Sequence, residues 1–363
     1  MKVAIFHNLE KGGALNYLIE ISKCLNNRSI SIDLFSFNNN APKSYFSNVK
    51  IIKLKKSNNI FDHIRQIIFE LPKKSKIISD IVRKQSYDFV LIFPCNLIQA
   101  PYLLNQLKDE KVFYIFTEPK REFYEKTSFD YYNIKKTLAR TLRTYIKFID
   151  RYNTRRSNNI FSISVYEQHL LKKYYSKNSI VIYPGLKRIK AKQINKEQNK
   201  KIITIGQLSY LKGHVFTSYQ LKPSSNVSII GRITLETQKI TNVANKHKTN
   251  INIIKTENDN EKFKILEKYS IFLSNYIKEP FGIATLEASG SGLFILGKNE
   301  GGTPEIIQHG INGFLYPNNI KIAKKTLSNF LSKNILLFFK NNEIDWEKTT
   351  NDILKCTSDH IST

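Results

Sequence analysis

The run from Ser274 to Ala288, Ser-Asn-Tyr-Ile-Lys-Glu-Pro-Phe-Gly-Ile-Ala-Thr-Leu-Glu-Ala, sets two carboxylates, Glu279 and Glu287, either side of a proline and a glycine. Pro280 has no amide hydrogen and disfavours helical geometry at Glu279, so Glu279 belongs on a loop after an apolar strand at Ile271–Leu273. Gly282 lets the backbone come close to a ligand, and a helix is expected from Ile283 with its first amides facing that loop. Those amides and the helix dipole favour a phosphate-bearing ligand. Glu287 then falls in the first or second turn. Ionised carboxylates only accept hydrogen bonds, which suits recognition of sugar hydroxyls. A hydrolytic acid/base pair needs a set separation, and one loop residue and one helix residue do not supply it. Each glutamate taken alone also fits a blander role, as an exposed loop residue or a favourable early-helix charge.

Such a site needs a sheet to hold it. Apolar, β-rich runs alternate with amphipathic stretches along most of the 363 residues. Strands are expected at Val3–His7, Ser31–Phe37, Val49–Leu54, Phe89–Phe93, Val112–Phe116 and Asn159–Ser164, with helical periodicity at Asn16–Leu25 and Ile60–Lys84. A second series follows at Ile202–Gly206, Val227–Gly231, Ile251–Ile254, Ile271–Leu273 and Phe294–Gly297. Two such series imply an α/β protein of two doubly wound domains, with ligands at the carboxyl ends of the strands. The break is placed at Tyr183-Pro184-Gly185, before the lysine-rich stretch Leu186–Lys201. The expected divisions are residues 1–185, residues 186–333, and a helical segment over 334–363 that crosses back to the first domain.

The glutamate run continues through Gly292, Glu300-Gly301-Gly302-Thr303-Pro304-Glu305-Ile306-Ile307 and Gly310-x-x-Gly313. Together these resemble glycosyltransferase family 4, the retaining enzymes of the GT-B fold, in which two Rossmann-like doubly wound domains face a central cleft. Further likenesses are Gly206-Gln207-x₄-Lys212-Gly213-His214, Ser164-Val165-Tyr166, Tyr183-Pro184-Gly185, the early Gly12-Gly13 and the late Asp345-Trp346-Glu347. The resemblance implies an acceptor-binding domain first and a nucleotide-sugar-binding domain second. It implies a hexosyltransferase-type activity in glycan biosynthesis that moves a sugar from a nucleoside diphosphate to a glycan or lipid-linked acceptor. By position, Glu279 would hold donor-sugar hydroxyls, Glu287 the ribose, and Lys212 the diphosphate. Gly13 and the Phe281–Gly282–Ile283 backbone would donate amides to it, with Gly12 and Gly206 also in the donor-binding set. No Asp-x-Asp motif is present, and neither a metal nor a cofactor is expected beyond the donor itself.

Two positions depart from the family's pattern. Gln207 stands where the family has arginine, so one diphosphate cation must come from elsewhere, Arg232 or Arg121 being the candidates. Thr117, in Phe113-Tyr114-Ile115-Phe116-Thr117-Glu118-Pro119-Lys120-Arg121, stands where the family has a histidine near the reacting centre. Threonine keeps a hydroxyl but carries no proton near neutral pH. These departures are the support for an alternative, a catalytically impaired sugar-nucleotide-binding or scaffold subunit. A GT-B epimerase or phosphorylase fits the fold but less of the motif string. His7 and His214 read as structural.

Composition adds the charge: 57 Lys+Arg against 30 Asp+Glu, net +27. It favours polyanionic partners or is compositional drift. No zinc-finger spacing or aromatic RNA-binding signature supports nucleic acid. From Ile134 to Arg156 an apolar face (Ile134, Leu138, Leu142, Tyr145, Ile149, Tyr152) lies opposite a basic stripe of Lys136, Arg140, Arg143, Lys147 and Arg151. That pattern suits a core helix with a solvated basic face, or docking on anionic lipid. Three scattered cysteines, no spanning apolar run and no signal core point to a cytoplasmic protein, peripheral at the membrane face if the helix binds lipid.

Overall fold

The computed structural model describes residues 1–107, 111–124, 136–186, 200–256, 258–332 and 345–361. The chain divides into two compact units, Met1–Gly185 with Trp346–Thr363, and Leu186–Asp345.

The first unit is built on a seven-stranded sheet of order β3-β2-β1-β4-β5-β6-β7. Its strands are β1 (Lys2–Asn8), β2 (Ser31–Ser36), β3 (Asn48–Ile51), β4 (Phe89–Cys95), β5 (Val112–Phe116), β6 (Asn159–Ser162) and β7 (Ile180–Val181). Every pairing is parallel. Covered on both faces, β4 and β5 are buried at every residue, which is why they read as unbroken apolar runs. One face carries Phe6, Ile92 and Tyr114 against Ile67, Ile78, Leu142 and Leu171. On the other, the helices Gly13–Asn27 and Trp346–Ile361 meet through Tyr17 and Trp346, ring centroids 5.5 Å apart. Arg28 pairs with Glu347 at 2.6 Å, and the Thr349 hydroxyl donates to the Tyr183 carbonyl.

The second unit is a six-stranded parallel sheet of order β10-β9-β8-β11-β12-β13. Its strands are β8 (Ile202–Ile205), β9 (Asn226–Ile230), β10 (Asn250–Ile254), β11 (Ile271–Ser274), β12 (Phe294–Lys298) and β13 (Gly313–Tyr316). Phe294 and Leu296 pack with Leu221, Leu327 and Phe330, while Ile203, Phe272 and Ile295 face Leu266, Ala288 and Ile307. In each sheet the order reverses beside the first strand, at β1/β4 and at β8/β11, where loops on opposite sides leave a crevice.

Several elements differ from the sequence expectation. Two short strands, β7 and β13, extend the sheets beyond the expected series. The Ile60–Lys84 periodicity is not one α-helix: a π-helical stretch at Gln66–Glu70 joins Ile60–Arg65 to Leu71–Arg83 just before Pro72, which cannot donate to the preceding turn. Most of the expected linker, 187–199, and the start of the final segment, 333–344, lie outside the described residues, as does Ile134.

Candidate functional site

Of the constellation read from the sequence, Gly206, Gln207, Lys212, Glu279 and Gly282 lie just past the carboxyl ends of β8 and β11. After β8 the chain passes through Gly206 and Gln207 into a single 3-10 turn, Tyr210–Lys212, and then the His214–Gln220 helix. The stem of Lys212 lies against Gly206, where a Cβ would sit 3.0 Å from its Cγ. After β11 the chain reaches Glu279 and Pro280, and the helix Ile283–Gly290 starts from Gly282 in the left-handed region. The two loops are tied by the Ile277 amide donating to the Leu211 carbonyl at 2.9 Å.

Lys212 and Glu279 meet as a symmetrical ion pair, Nζ 2.9 Å from both carboxylate oxygens, with side chains 26% and 18% exposed. They are accessible enough to exchange partners and buried enough for the pairing to matter. Beneath them lies Tyr276, 1% exposed, with the Lys212 ammonium 5.0 Å from its ring centre and its hydroxyl donating to the Ile205 carbonyl. Burial first, then the negative charge of Glu279, pushes the Tyr276 phenol well above its ordinary range. The backbone of Glu279 is fixed from the far side: the Gly302 amide donates to its carbonyl at 2.8 Å. Gly301, at φ +65, comes so close that a Cβ would sit 2.4 Å from that oxygen.

Glu287 is paired too. Lys262, on the Asp259–Leu266 helix and 8% exposed, places Nζ 2.7 Å from Glu287 Oε1 and 3.0 Å from Asp259 Oδ1. Burial alone would lower the Lys262 pKa, but Glu287 and then Asp259 outweigh it and raise it. Neither Lys262 nor Tyr276 had been assigned a role from sequence. Lys262 stands in an ordinary helical stretch and meets Glu287 only through the packing of two helices, and Tyr276 has no spacing signal.

Arg232, after β9, is exposed and directs Nε and Nη2 at Gln207 Oε1, 3.4 and 3.2 Å away. A guanidinium is thus brought to the side chain of position 207 although that residue is uncharged. Arg121 sits in the other unit, its Nε 3.0 Å from Glu118. His214 is 1% exposed and donates from Nε2 to the Gln207 carbonyl; burial holds its pKa down at about 4, so it is neutral and structural. Phe281 is buried, and Gly282 and Ile283 form the helix start.

In the first unit, Gly12 caps the Gly13–Asn27 helix at its exposed start, with no side-chain cap and with open space where its Cβ would be. Thr117 is 7% exposed just past β5. His7, fully buried, is held by burial at about 4, its Nδ1 accepting from the Leu9 amide. The strand ends nearby carry a net of amides. Asn8 donates to Asn96 at 2.7 Å and accepts from Asn38 at 3.0 Å, and Asn96 donates to Glu10 at 2.8 Å.

The basic helix spans Lys136–Arg156, and the side chains of Lys136 and Arg140 are outside the described part. Its buried face is Leu142, Ile146, Ile149, Asp150 and Asn153, which corrects the expected face: Tyr152 is 37% exposed and Ile146 takes the inward position. Lys147 also departs from the expected stripe, reaching back to the Phe123 carbonyl and over the Tyr124 ring. Arg143 is exposed and Arg151 half-buried. No helix among the described residues is long and apolar enough to cross a membrane.

Residues 186–344 match the family described as Glycosyl transferases group 1. A UDP-N-acetylglucosamine–peptide N-acetylglucosaminyltransferase GtfA subunit from Streptococcus agalactiae is 29% identical over 110 residues, 30% of this chain and 22% of that protein. The whole fold is similar to sucrose-phosphate synthase from Thermosynechococcus elongatus, with a TM-score of 0.80, 11% identity and 99% of both chains covered. It is also similar to Anabaena HepE in complex with UDP and glucose, with a TM-score of 0.71, 15% identity and 99% of both chains covered. The two parallel sheets with interleaved helices are those of the GT-B glycosyltransferase fold.

Proposed function

We propose that this GT-B chain, whose second unit matches glycosyl transferases group 1, moves a sugar from a nucleoside diphosphate to a glycan or lipid-linked acceptor with retention at the anomeric carbon. The observation that carries the reading is the Lys212–Glu279 pair at the β8/β11 reversal. With no donor bound, the two groups neutralise each other. A diphosphate carries more charge than one carboxylate and takes Lys212, which frees Glu279 to accept from the hydroxyls of the sugar it brings. Arg232 adds a second cation from the neighbouring loop, and the Gly282–Ile283 helix start adds aimed amides.

In the transfer, the bond from the anomeric carbon to the diphosphate oxygen breaks while a bond to the acceptor oxygen forms on the same face. The acceptor's proton passes to the departing phosphate oxygen. Developing negative charge is met by Lys212, Arg232 and amides, so no step in this scheme calls on a divalent ion. Because the leaving group takes the proton, a titrating side chain at position 117 is dispensable.

The test is release of nucleoside diphosphate across a panel of nucleotide sugars, comparing the native protein with Glu279→Ala and Lys212→Ala. Release with one donor, lost in both variants, supports the transferase. Donor binding without release, even with lipid-linked acceptors present, replaces it with a sugar-nucleotide-binding scaffold.

A second reading concerns where the acceptor is met. Phe148 is 62% exposed and stacks on Tyr152 with centroids 6.1 Å apart, amid Lys147, Arg151, Arg155 and Arg156. Exposed rings within a basic surface suit docking on an anionic bilayer, where each cation contributes about 1 kcal/mol. Co-sedimentation with phosphatidylglycerol vesicles but not phosphatidylcholine vesicles, reduced by Phe148→Ala with Arg151→Glu, is the expected result; equal recovery with both lipids removes this reading.

A further inference from the structure

We infer that Lys262 is a positioning residue for nucleotide recognition: it aims the Glu287 carboxylate at the ribose, and so sets how strongly the site prefers ribose hydroxyls. The inference rests on the donor site proposed above and adds a residue from a helix that its motif does not include. Lys262 lies on the Asp259–Leu266 helix and Glu287 on the Ile283–Gly290 helix, so their meeting at 2.7 Å is tertiary. The pair is well covered, with side chains 10% and 15% exposed. A lysine on a packed helix ordinarily runs its ammonium out to water. Here the side chain stays inside, its ammonium shared by Glu287 and, at 3.0 Å, by Asp259.

Burying that charge costs desolvation free energy, which the two carboxylates offset only while the geometry holds. One consequence is orientation. Ammonium contact at Oε1 pins the Glu287 side chain in one setting, and the second carboxylate, Asp259, keeps Lys262 from following a ligand away from it. Glu287 lies in the second turn of the helix that opens from Gly282, so one short stretch carries both it and Glu279. The carboxylate that Lys262 holds therefore stands on the helix whose cap, Gly282, is three residues past Glu279, the partner of Lys212. A ribose diol offers two donors to a carboxylate held still, and far less to one free to rotate, because ordering it on binding costs entropy.

The experiment uses the whole chain and needs no knowledge of the sugar or the acceptor. UDP, GDP and ADP are titrated by calorimetry, and the tightest is compared with its 2′,3′-dideoxy counterpart. The comparison is made for the native protein, Lys262→Met, Lys262→Arg, Glu287→Gln and the double variant Glu287→Gln with Lys262→Met. The native protein is expected to prefer the ribose form about 10-fold, roughly the value of losing one well-made hydrogen bond to a charged group. Lys262→Met should cut that preference to about 2-fold, Lys262→Arg should keep most of it, and the double variant should behave as Glu287→Gln alone. The double variant replaces both charges, so it tests coupling in a protein without an unpaired buried carboxylate.

A purely structural lysine would lower the melting temperature while leaving the ribose preference intact, and that result overturns the inference. A native protein that binds a nucleoside diphosphate with no ribose preference overturns it too, while leaving the donor site standing. If none of the three diphosphates binds, the donor site itself fails and the inference falls with it.

Discussion

The two units have sheets of the same order around their reversal points, yet the strand ends are furnished differently. In the second unit the segments that follow β8, β10 and β11 carry full charges in pairs, Lys212 with Glu279 and Lys262 with Glu287. In the first unit the ends of β1, β2 and β4 lead into a net of neutral amides, Asn8, Asn38 and Asn96, with a single acid, Glu10, at its edge. A shared fold positions both sets, so the difference lies in the chemistry each crevice offers. Charges that neutralise each other can be released to a charged ligand such as a diphosphate. Amides, each both donor and acceptor, suit an uncharged ligand rich in hydroxyls such as an acceptor sugar.

That contrast is broken or sharpened by substitution. Lys212→Ala should have the largest effect, reducing turnover about 10²- to 10³-fold, the usual cost of removing one preorganised electrostatic group. Its effect on stability should stay within about 1 kcal/mol, because the pair is partly exposed. Arg232→Ala should raise the donor KM about 10-fold, and Gln207→Arg in that background should recover part of the loss; steady-state kinetics reads both. Asn8→Ala should do the reverse, costing about 1 kcal/mol of stability through the lost bonds of the buried Asn8 to Asn38 and Asn96, with donor affinity unchanged. An Asn8→Ala protein with native stability and a raised donor KM would break the division between the two regions.

Acidification should separate the units further. His7 and His214 are held near 4 when folded against 6.5 when free, so protonation favours unfolding. The stability each contributes, on the order of 3 kcal/mol, is complete above about pH 6.5 and is lost as pH falls toward 4. In the first unit Asp150 works the other way: burial raises its pKa to about 7, so its contribution is full below about 3.8 and lost as pH rises to 7. Between pH 6.5 and 5, hydrogen exchange should therefore loosen β8 and β11 ahead of β1 and β4, and His214→Asn should remove the gap. The smallest expected effect is that of EDTA, which should leave turnover unchanged; loss restored by a divalent ion would call for a different account of the leaving group.

Much of this was legible in the sequence because it is local. Pro280 and Gly282 dictate a loop and a helix start whatever surrounds them, and a strand buried on both faces leaves an apolar run that needs no partner to be seen. What escaped depends on partners. Two-residue β7 is too short for a periodic signal, and β13, only half-buried at Phe314 and Leu315, lacks the apolar run of a fully covered strand. The π-helical stretch before Pro72 resolves a conflict that periodicity alone passes over. Ile146 and Tyr152 exchanged places because the inward face of their helix is set by what it packs on, including Asp150 bonded to Tyr175 and to the Ala100 amide. Lys262 could not be found by motif at all, since nothing in its own stretch names Glu287 as its partner.

The central claim is that Glu279 and Lys212 occupy each other until a diphosphate arrives. Calorimetric titration of the tightest-binding nucleoside diphosphate, without any sugar, into the native protein, Lys212→Ala and Glu279→Ala tests it directly. Lys212→Ala should bind about 10-fold or more weakly, while Glu279→Ala should bind as tightly as the native protein or tighter, because the competing carboxylate is gone. Equal weakening in both variants would contradict it, since Glu279 would then hold the diphosphate end of the site together and not wait there for the sugar.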